Sequence, residues 1–270
     1  MWGLGYEVLF FVPSSIGSCW FVARCLVGVP LSCVRASSLG SAGWSLTTSH
    51  CRCVRDWIGR EMGDGTLDRD ARIKLSIGTK QQGNGDGQLN DTMGLAFDHH
   101  RSLLLVIDDS RVQVFSCDDG SFVSKFSERG NQPGQLKDPY GLAIDHDHDR
   151  ILITDTGNHR VQSWSLSEQS FLSCIGQGDL EFNYPQGIAI DKHHHRIIIA
   201  DTDNHRLVFL SSVDLSFLFS IGKRGSQPGE LNWASFIAID DDRHRIIASD
   251  IIHNRVQVLS LIDGSFLFEF

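Results

Sequence analysis

The sequence predicts an all-β fold, a β-propeller built from four-stranded blades. Three observations carry this. An apolar-alanine-apolar-aspartate phrase recurs at Leu95–Asp98, Leu142–Asp145, Ile188–Asp191 and Ile237–Asp240, its aspartates 47, 46 and 49 residues apart. Three further apolar phrases follow each copy, separated by Asp, Gly, Asn and His. No helical periodicity interrupts residues 77–270. Four short strands joined by turns at a period in the mid-forties describe a propeller blade.

Each phrase has its own strand character. The second (Leu104–Asp108, Leu152–Asp155, Ile198–Asp201, Ile247–Asp250) is nearly continuous apolar, as expected of a strand covered on both faces by neighbouring blades. The third begins with arginine (Arg111, Arg160, Arg206, Arg255) and the fourth with Ser-Phe (Ser121, Ser170, Ser216, Ser265). Both alternate more, as outer strands should. The blades are expected at about 77–126, 127–175, 176–221 and 222–270, with Ile73–Ile77 as a spare outer strand. Four blades is a small ring, so the propeller is expected either to close at four or to stay incomplete. An open arc would expose apolar blade faces and favour self-association.

Residues 1–72 read differently. Five of the seven cysteines and four of the six tryptophans lie in the first 57 residues, and residues 1–60 carry five Arg against Glu7 and Asp56. Residues 1–60 thus carry +3 and the remainder −12, together the net −9, which disfavours a phosphate-binding surface on the remainder. The charge-free run at residues 8–23 is shorter than the roughly 20 residues a spanning helix needs. Pro13 and Gly17 interrupt it, and the first charge before it is acidic, unlike a secretory signal. Neither a signal nor an anchor at residues 8–34 is expected, and the location expected is cytoplasmic. The Cys51-Arg52-Cys53 pair has no partner pair at zinc-site spacing, and the ordered ligands of a RING are absent. Residues 1–72 are therefore expected to be irregular or disordered.

Two units carry a specific likeness. Pro139-Tyr140-Gly141-Leu142-Ala143-Ile144-Asp145 with Asp155-Thr156-Gly157-Asn158-His159-Arg160-Val161, and Pro185-Gln186-Gly187-Ile188-Ala189-Ile190-Asp191 with Asp201-Thr202-Asp203-Asn204-His205-Arg206-Leu207, resemble NHL repeats. The first and fourth units keep less of the pattern: the first lacks Asn-His, and the fourth reads His253-Asn254-Arg255. The resemblance spans residues 73–270. It implies a propeller, usually six-bladed, that binds proteins or RNA; some relatives are ubiquitin-ligase recognition domains and a few are metal-dependent enzymes. Fold alone does not choose among these.

The repeated polar residues read as scaffold. Asp98, Asp145, Asp191 and Asp240 open turns, Asp155, Asp201 and Asp250 meet the motif arginine, and Asn-His closes the loop between them. Histidine-rich turns at His99-His100, His146-Asp147-His148, His193-His194-His195 and His244 should share one rim. Adjacent turn residues diverge and blades separate the clusters, so a polar, pH-sensitive rim is expected, with no metal and no cofactor.

On the other rim, unit four departs from its siblings. Phe236 replaces Gly94, Gly141 and Gly187, Ile251-Ile252 replaces the polar residues before Asn, and Trp233 lies just upstream. Trp233, Phe236, Ile251 and Ile252, with Tyr140 and Gln186, are therefore the candidate partner-binding residues. RNA and membrane partners are not expected: the basic residues of the strand-entry loops are outnumbered by acidic ones. No catalytic constellation is present. The expected function is a non-enzymatic interaction scaffold. The alternatives are a ubiquitin-ligase recognition part, a metal-dependent propeller enzyme and an RNA-binding domain.

Overall fold

A computed structural model describes residues 82–176 and 180–270, Ile77, and the backbone of four N-terminal strands. Four blades follow the repeat. Blade 1 holds β5 (Thr92–Asp98), β6 (Leu103–Asp108), β7 (Arg111–Ser116) and β8 (Phe122–Phe126). Blade 2 holds β9 (Leu142–Asp145), β10 (Arg150–Asp155), β11 (Arg160–Ser165) and β12 (Phe171–Ile175). Blade 3 holds β13 (Pro185–Asp191), β14 (Arg196–Asp201), β15 (Arg206–Ser211) and β16 (Phe217–Ile221). Blade 4 holds β17 (Ala234–Asp240), β18 (Arg245–Asp250), β19 (Arg255–Ser260) and β20 (Phe266–Glu269). Each blade is an antiparallel meander in sequence order, and the innermost strands β5, β9, β13 and β17 lie side by side.

A fifth four-stranded antiparallel sheet comprises β1 (Phe10–Pro13), β2 (Ser18–Val22), β3 (Cys33–Ser38) and β4 (Trp44–Leu46), with β1 beside β5. These strands lie within residues 1–72, the segment expected to be irregular or disordered. They carry none of the four repeated phrases, and strand pairing depends on partners remote in sequence rather than on local pattern alone. The rest of residues 1–72, and the spare strand at Ile73–Ile77 apart from Ile77, lie outside the described residues.

The core lies between blades. Ile197 and Ile199 of β14 pack against Leu152 and Val161 of blade 2. Ile198 and Ala200 of the same strand pack against Ala234, Ile237 and Ile246 of blade 4. One strand thus buries both faces, which is why its phrase is uniformly apolar. The third strands differ from expectation: β11 is buried throughout, because neighbouring blades cover it too. Exposed positions alternate with covered ones in outermost strands such as β8 and β20.

Polar residues complete the blade-to-blade bolts. Arg150 donates to Asp145 at 2.6 Å and to the Ser212 carbonyl of blade 3. Arg196 does the same between Asp191 and the Leu261 carbonyl of blade 4. The turn-opening role expected of the aspartates holds for Asp98, Asp191 and Asp240, which accept backbone N–H groups two or three residues on. Asp145 instead pairs with His148 and Arg150.

The turns into the outer strands share an Asp-x-Ser lock, in which Asp119, Asp214 and Asp263 accept from Ser121, Ser216 and Ser265. Hydrogen bonds from Ser216 and Ser211 hold the Asp214 carboxyl down to about 2. A depressed folded pKa means the lock stabilises the fold above the ordinary aspartate range and is lost as pH falls through about 2. A carbon-detected NMR titration should give the Asp214 carboxyl a midpoint near 2; an ordinary aspartate midpoint would rule the lock out.

Candidate functional site

The strand-entry loops and the loops between second and third strands share one rim. Its geometry follows from the repeated motif. After β10 and β14, the chain makes one short 3-10 turn ending in a left-handed residue, His159 (φ 55°) or His205 (φ 56°). The preceding asparagine anchors that turn: Asn158 donates to Asp155 and to the Gly130 carbonyl, and Asn204 to Asp201 and the Glu181 carbonyl. The histidine reaches the next blade. His159 Nδ1 accepts the Tyr184 N–H at 3.2 Å, and His205 Nδ1 accepts the Trp233 N–H at 3.4 Å. Accepting at Nδ1 places the ring proton on Nε2.

Those N–H groups belong to strained residues. Tyr184 and Trp233 sit at φ 51° and 62°, a region that costs a non-glycine residue roughly 1–2 kcal/mol. Both side chains stay exposed, at 45% and 46%. A large aromatic held in a costly backbone conformation yet left in solvent contributes little to the core. The equivalent residue of blade 2, Asp138, has φ 46°, so the left-handed turn belongs to the repeat, and what sets blades 3 and 4 apart is the exposed aromatic side chain it carries.

Beside Trp233 lies a cleft of about 350 Å³ lined by Asn183, Asp203, His205, Arg224, Asn232, Trp233 and Ile252. It sits between blades 3 and 4. Ile251 and Ile252 are held against the strand-entry loop by their N–H groups, which donate to the Trp233 and Asn232 carbonyls. Among the described residues, no carboxylate forms an ion pair with Arg224. Two other basic residues of this rim are engaged: Lys223 pairs with Glu230 at 3.2 Å, and Arg129 with Asp109 and Asp138, each at 3.4 Å.

The six residues singled out from sequence fall into two groups. Trp233 and Ile252 line the cleft, and Ile251 is exposed next to it. Tyr140, Gln186 and Phe236 converge elsewhere, at the inner strands. The Tyr140 and Phe236 rings are 5.3 Å apart, joining blades 2 and 4. Gln186 meets the Ser235 hydroxyl, and burial raises the Tyr140 phenol above its ordinary range while its bond to Ser235 partly offsets this. Phe236 occupies the position where Gly94, Gly141 and Gly187 face the next blade's backbone. A Cβ on those glycines would lie 2.6, 2.3 and 2.5 Å from the carbonyl oxygens of Tyr140, Gln186 and Ser235. In blade 4 the position takes a ring, which turns toward Tyr140.

Sequence reasoning missed Asn183, Asp203, His205, Arg224 and Asn232 as cleft residues. The signal available was the Asn-His pair, whose histidine supports the next blade's aromatic residue.

The opposite rim carries the turns between first and second strands. Here His99 and His100 of blade 1 meet His146 of blade 2. Their ring centroids are 4.3, 4.7 and 4.2 Å apart, and one ligand atom from each lies within 4.8 Å of the others. The expectation that blades separate the histidine clusters is thereby corrected: the inner strands pack closely enough to bring the turns after β5 and β9 together. The His146 side chain is largely buried, and that burial lowers its pKa, opposed by the Asp98 carboxylate 3.9 Å away. Between blades 3 and 4 the counterparts are wider, with His193 and His194 6.2 and 6.3 Å from His244.

Comparison with known proteins supports the fold. The NHL repeat family matches residues 182–208, and a family described as a 6-bladed beta-propeller matches residues 96–184. No curated protein matches the chain by sequence. Among solved structures, U3-55K superposes with a TM-score of 0.54 at 15% identity, over 66% of this chain and 51% of that one. The hydrazine synthase of Kuenenia stuttgartiensis gives 0.54 at 11%, over 73% and 51%. The nidogen/laminin complex gives 0.55 at 14%, over 98% and 80%. The chain thus spans about half the length of the first two. At these identities the likeness is one of fold. No helix among the described residues is long and apolar enough to cross a membrane.

Proposed function

We propose that the chain is a protein-interaction propeller of the NHL-repeat type, whose cleft between blades 3 and 4 takes a short extended segment of a partner protein. The observation that carries this is Trp233, an exposed aromatic side chain lining the cleft, whose N–H donates to His205 of the preceding blade. The cleft's chemistry fits a segment with a carboxylate beside an apolar side chain. Arg224 would take the carboxylate, Trp233 and Ile252 the apolar group. The amides of Asn183 and Asn232 match the donors and acceptors of an extended backbone. The pairing of Lys223 and Arg129 with carboxylates weighs against a nucleic-acid partner.

The experiment is a peptide array in which acidic-apolar segments are compared with charge-reversed copies. The acidic set should bind. Trp233→Ala should weaken the best peptide by at least about tenfold, the scale of a hot-spot aromatic. Arg224→Glu should shift preference to the basic set. A Trp233→Ala chain that binds as well as the parent refutes the reading.

A second reading, metal-dependent chemistry, is favoured by one observation: three imidazoles converge at His99, His100 and His146, where ligand geometry is more concrete than anything the cleft offers. That cluster and the cleft lie on opposite rims, so they form two sites rather than one. A metal-dependent turnover would have to occur on the histidine rim, with substrate on an open coordination position.

A further inference from the structure

We propose that His99, His100 and His146 bind a first-row divalent transition-metal ion across the interface of blades 1 and 2. The proposal supplies the ligand set that the metal-dependent reading requires. It stands without any turnover and is independent of the partner cleft.

The ligand chemistry is specific. Imidazole suits zinc, copper and nickel, and three imidazoles with one solvent position are a recurrent zinc environment. Tetrahedral zinc with bonds of about 2.0–2.1 Å requires nitrogens about 3.3 Å apart. The three ligand atoms already lie within 4.8 Å of one another. His99 and His100 are exposed and have room to rotate towards His146, which would narrow that gap. His146 is the fixed ligand, with its side chain only 10% exposed and seated in the short turn after β9.

Asp98 is the positioning residue. It is fully buried, and it shapes the blade 1 turn by accepting the N–H groups of His100 at 3.0 Å and Arg101 at 3.3 Å. Its carboxylate also lies 3.9 Å from His146, and Arg101 pairs with its other oxygen at 3.0 Å. The site exists only where two blades meet, so the ion would clamp them. The cluster at blades 3 and 4 is a natural control. Its rings are wider apart, and His194 Nδ1 already contacts Asp191 at 2.9 Å.

The test is a zinc titration of the untagged full chain by calorimetry, repeated with cobalt for its visible spectrum. One saturable site is expected, with cobalt bands of tetrahedral intensity. His146→Ala and the surface double variant His99→Asn/His100→Asn should each weaken zinc by at least about tenfold. His244→Ala should leave the affinity unchanged. Circular dichroism checks folding, and if His146→Ala does not fold, the double variant decides alone. Absence of saturable zinc binding, or a double variant that binds as the parent does, overturns the site. Zinc binding without turnover on any substrate would leave the site intact and remove only the catalytic reading.

Discussion

Replacing Asp155 with alanine should destabilise the propeller by about 3–5 kcal/mol, the cost of stranding one partner of a buried ion pair. Asp155 is fully buried at the end of β10. Its oxygens accept from Arg160 Nε at 2.7 Å, Gln162 Nε2 at 2.8 Å, Asn158 Nδ2 at 2.9 Å and the Lys137 N–H at 2.7 Å. The remaining guanidinium N–H groups of Arg160 already reach the carbonyls of Asn131, Gln132 and Gln135. Removing the carboxylate leaves a buried cation facing only carbonyls, and it removes the Lys137 tie between the loop before β9 and the second strand. Thermal unfolding should fall by on the order of 10 °C, at roughly 2–4 °C per kcal/mol for a unit this size. A double cycle with Arg160→Met separates the causes. Removing both charges should recover part of the loss, because much of the single variant's cost is the unpaired arginine. A melting temperature within a degree or two of the parent would show that the pair does not hold the loop.

Gly141→Ala should cost about 1–3 kcal/mol, as overpacking does. The added Cβ would stand 2.3 Å from the Gln186 carbonyl oxygen and 3.1 Å from Ile188 Cγ2 and Thr154 Oγ1. The obstacle is backbone, so no rotamer change relieves it, and blades 2 and 3 must separate. The same movement should disturb Thr154, whose hydroxyl donates to the Gln186 carbonyl at 2.6 Å and accepts the Gly141 N–H at 2.7 Å. Urea unfolding followed by tryptophan fluorescence reads the effect directly. An unchanged midpoint would mean that the inner strands have slack this packing does not suggest.

Much of the blade architecture was legible because its causes are local and repeated. Two-sided burial writes a continuous apolar phrase such as Arg196–Asp201, and left-handed turn ends favour Asn, Asp, His and Gly at fixed positions. The candidate sites were less legible because both lie between blades. Trp233 was visible as an odd residue in unit four. Its support by His205, and the cleft it shares with Asn183 and Arg224, required knowing which loops are neighbours. The surroundings of Phe236 were hidden for the same reason. It stands at the glycine position of an inner strand, and its ring meets Tyr140 from two blades away. His146 was judged by its own turn, whereas its company is set by how closely β5 and β9 lie.

The sequence by itself determined the repeat, the strand order within each blade and the residues that turn the chain, because each depends on contacts inside one unit of about 47 residues. It did not reveal the N-terminal sheet, which carries none of the repeated phrases. Only the tertiary structure decided which loops face one another across blades. It therefore decided that six candidate residues form two groups and that three histidines form one. The physical reason is that hydrophobic burial drives blades together without regard to direction. The fine geometry of each rim then follows from backbone approaches of a few ångströms, such as Gly141 against Gln186, that no single repeat encodes.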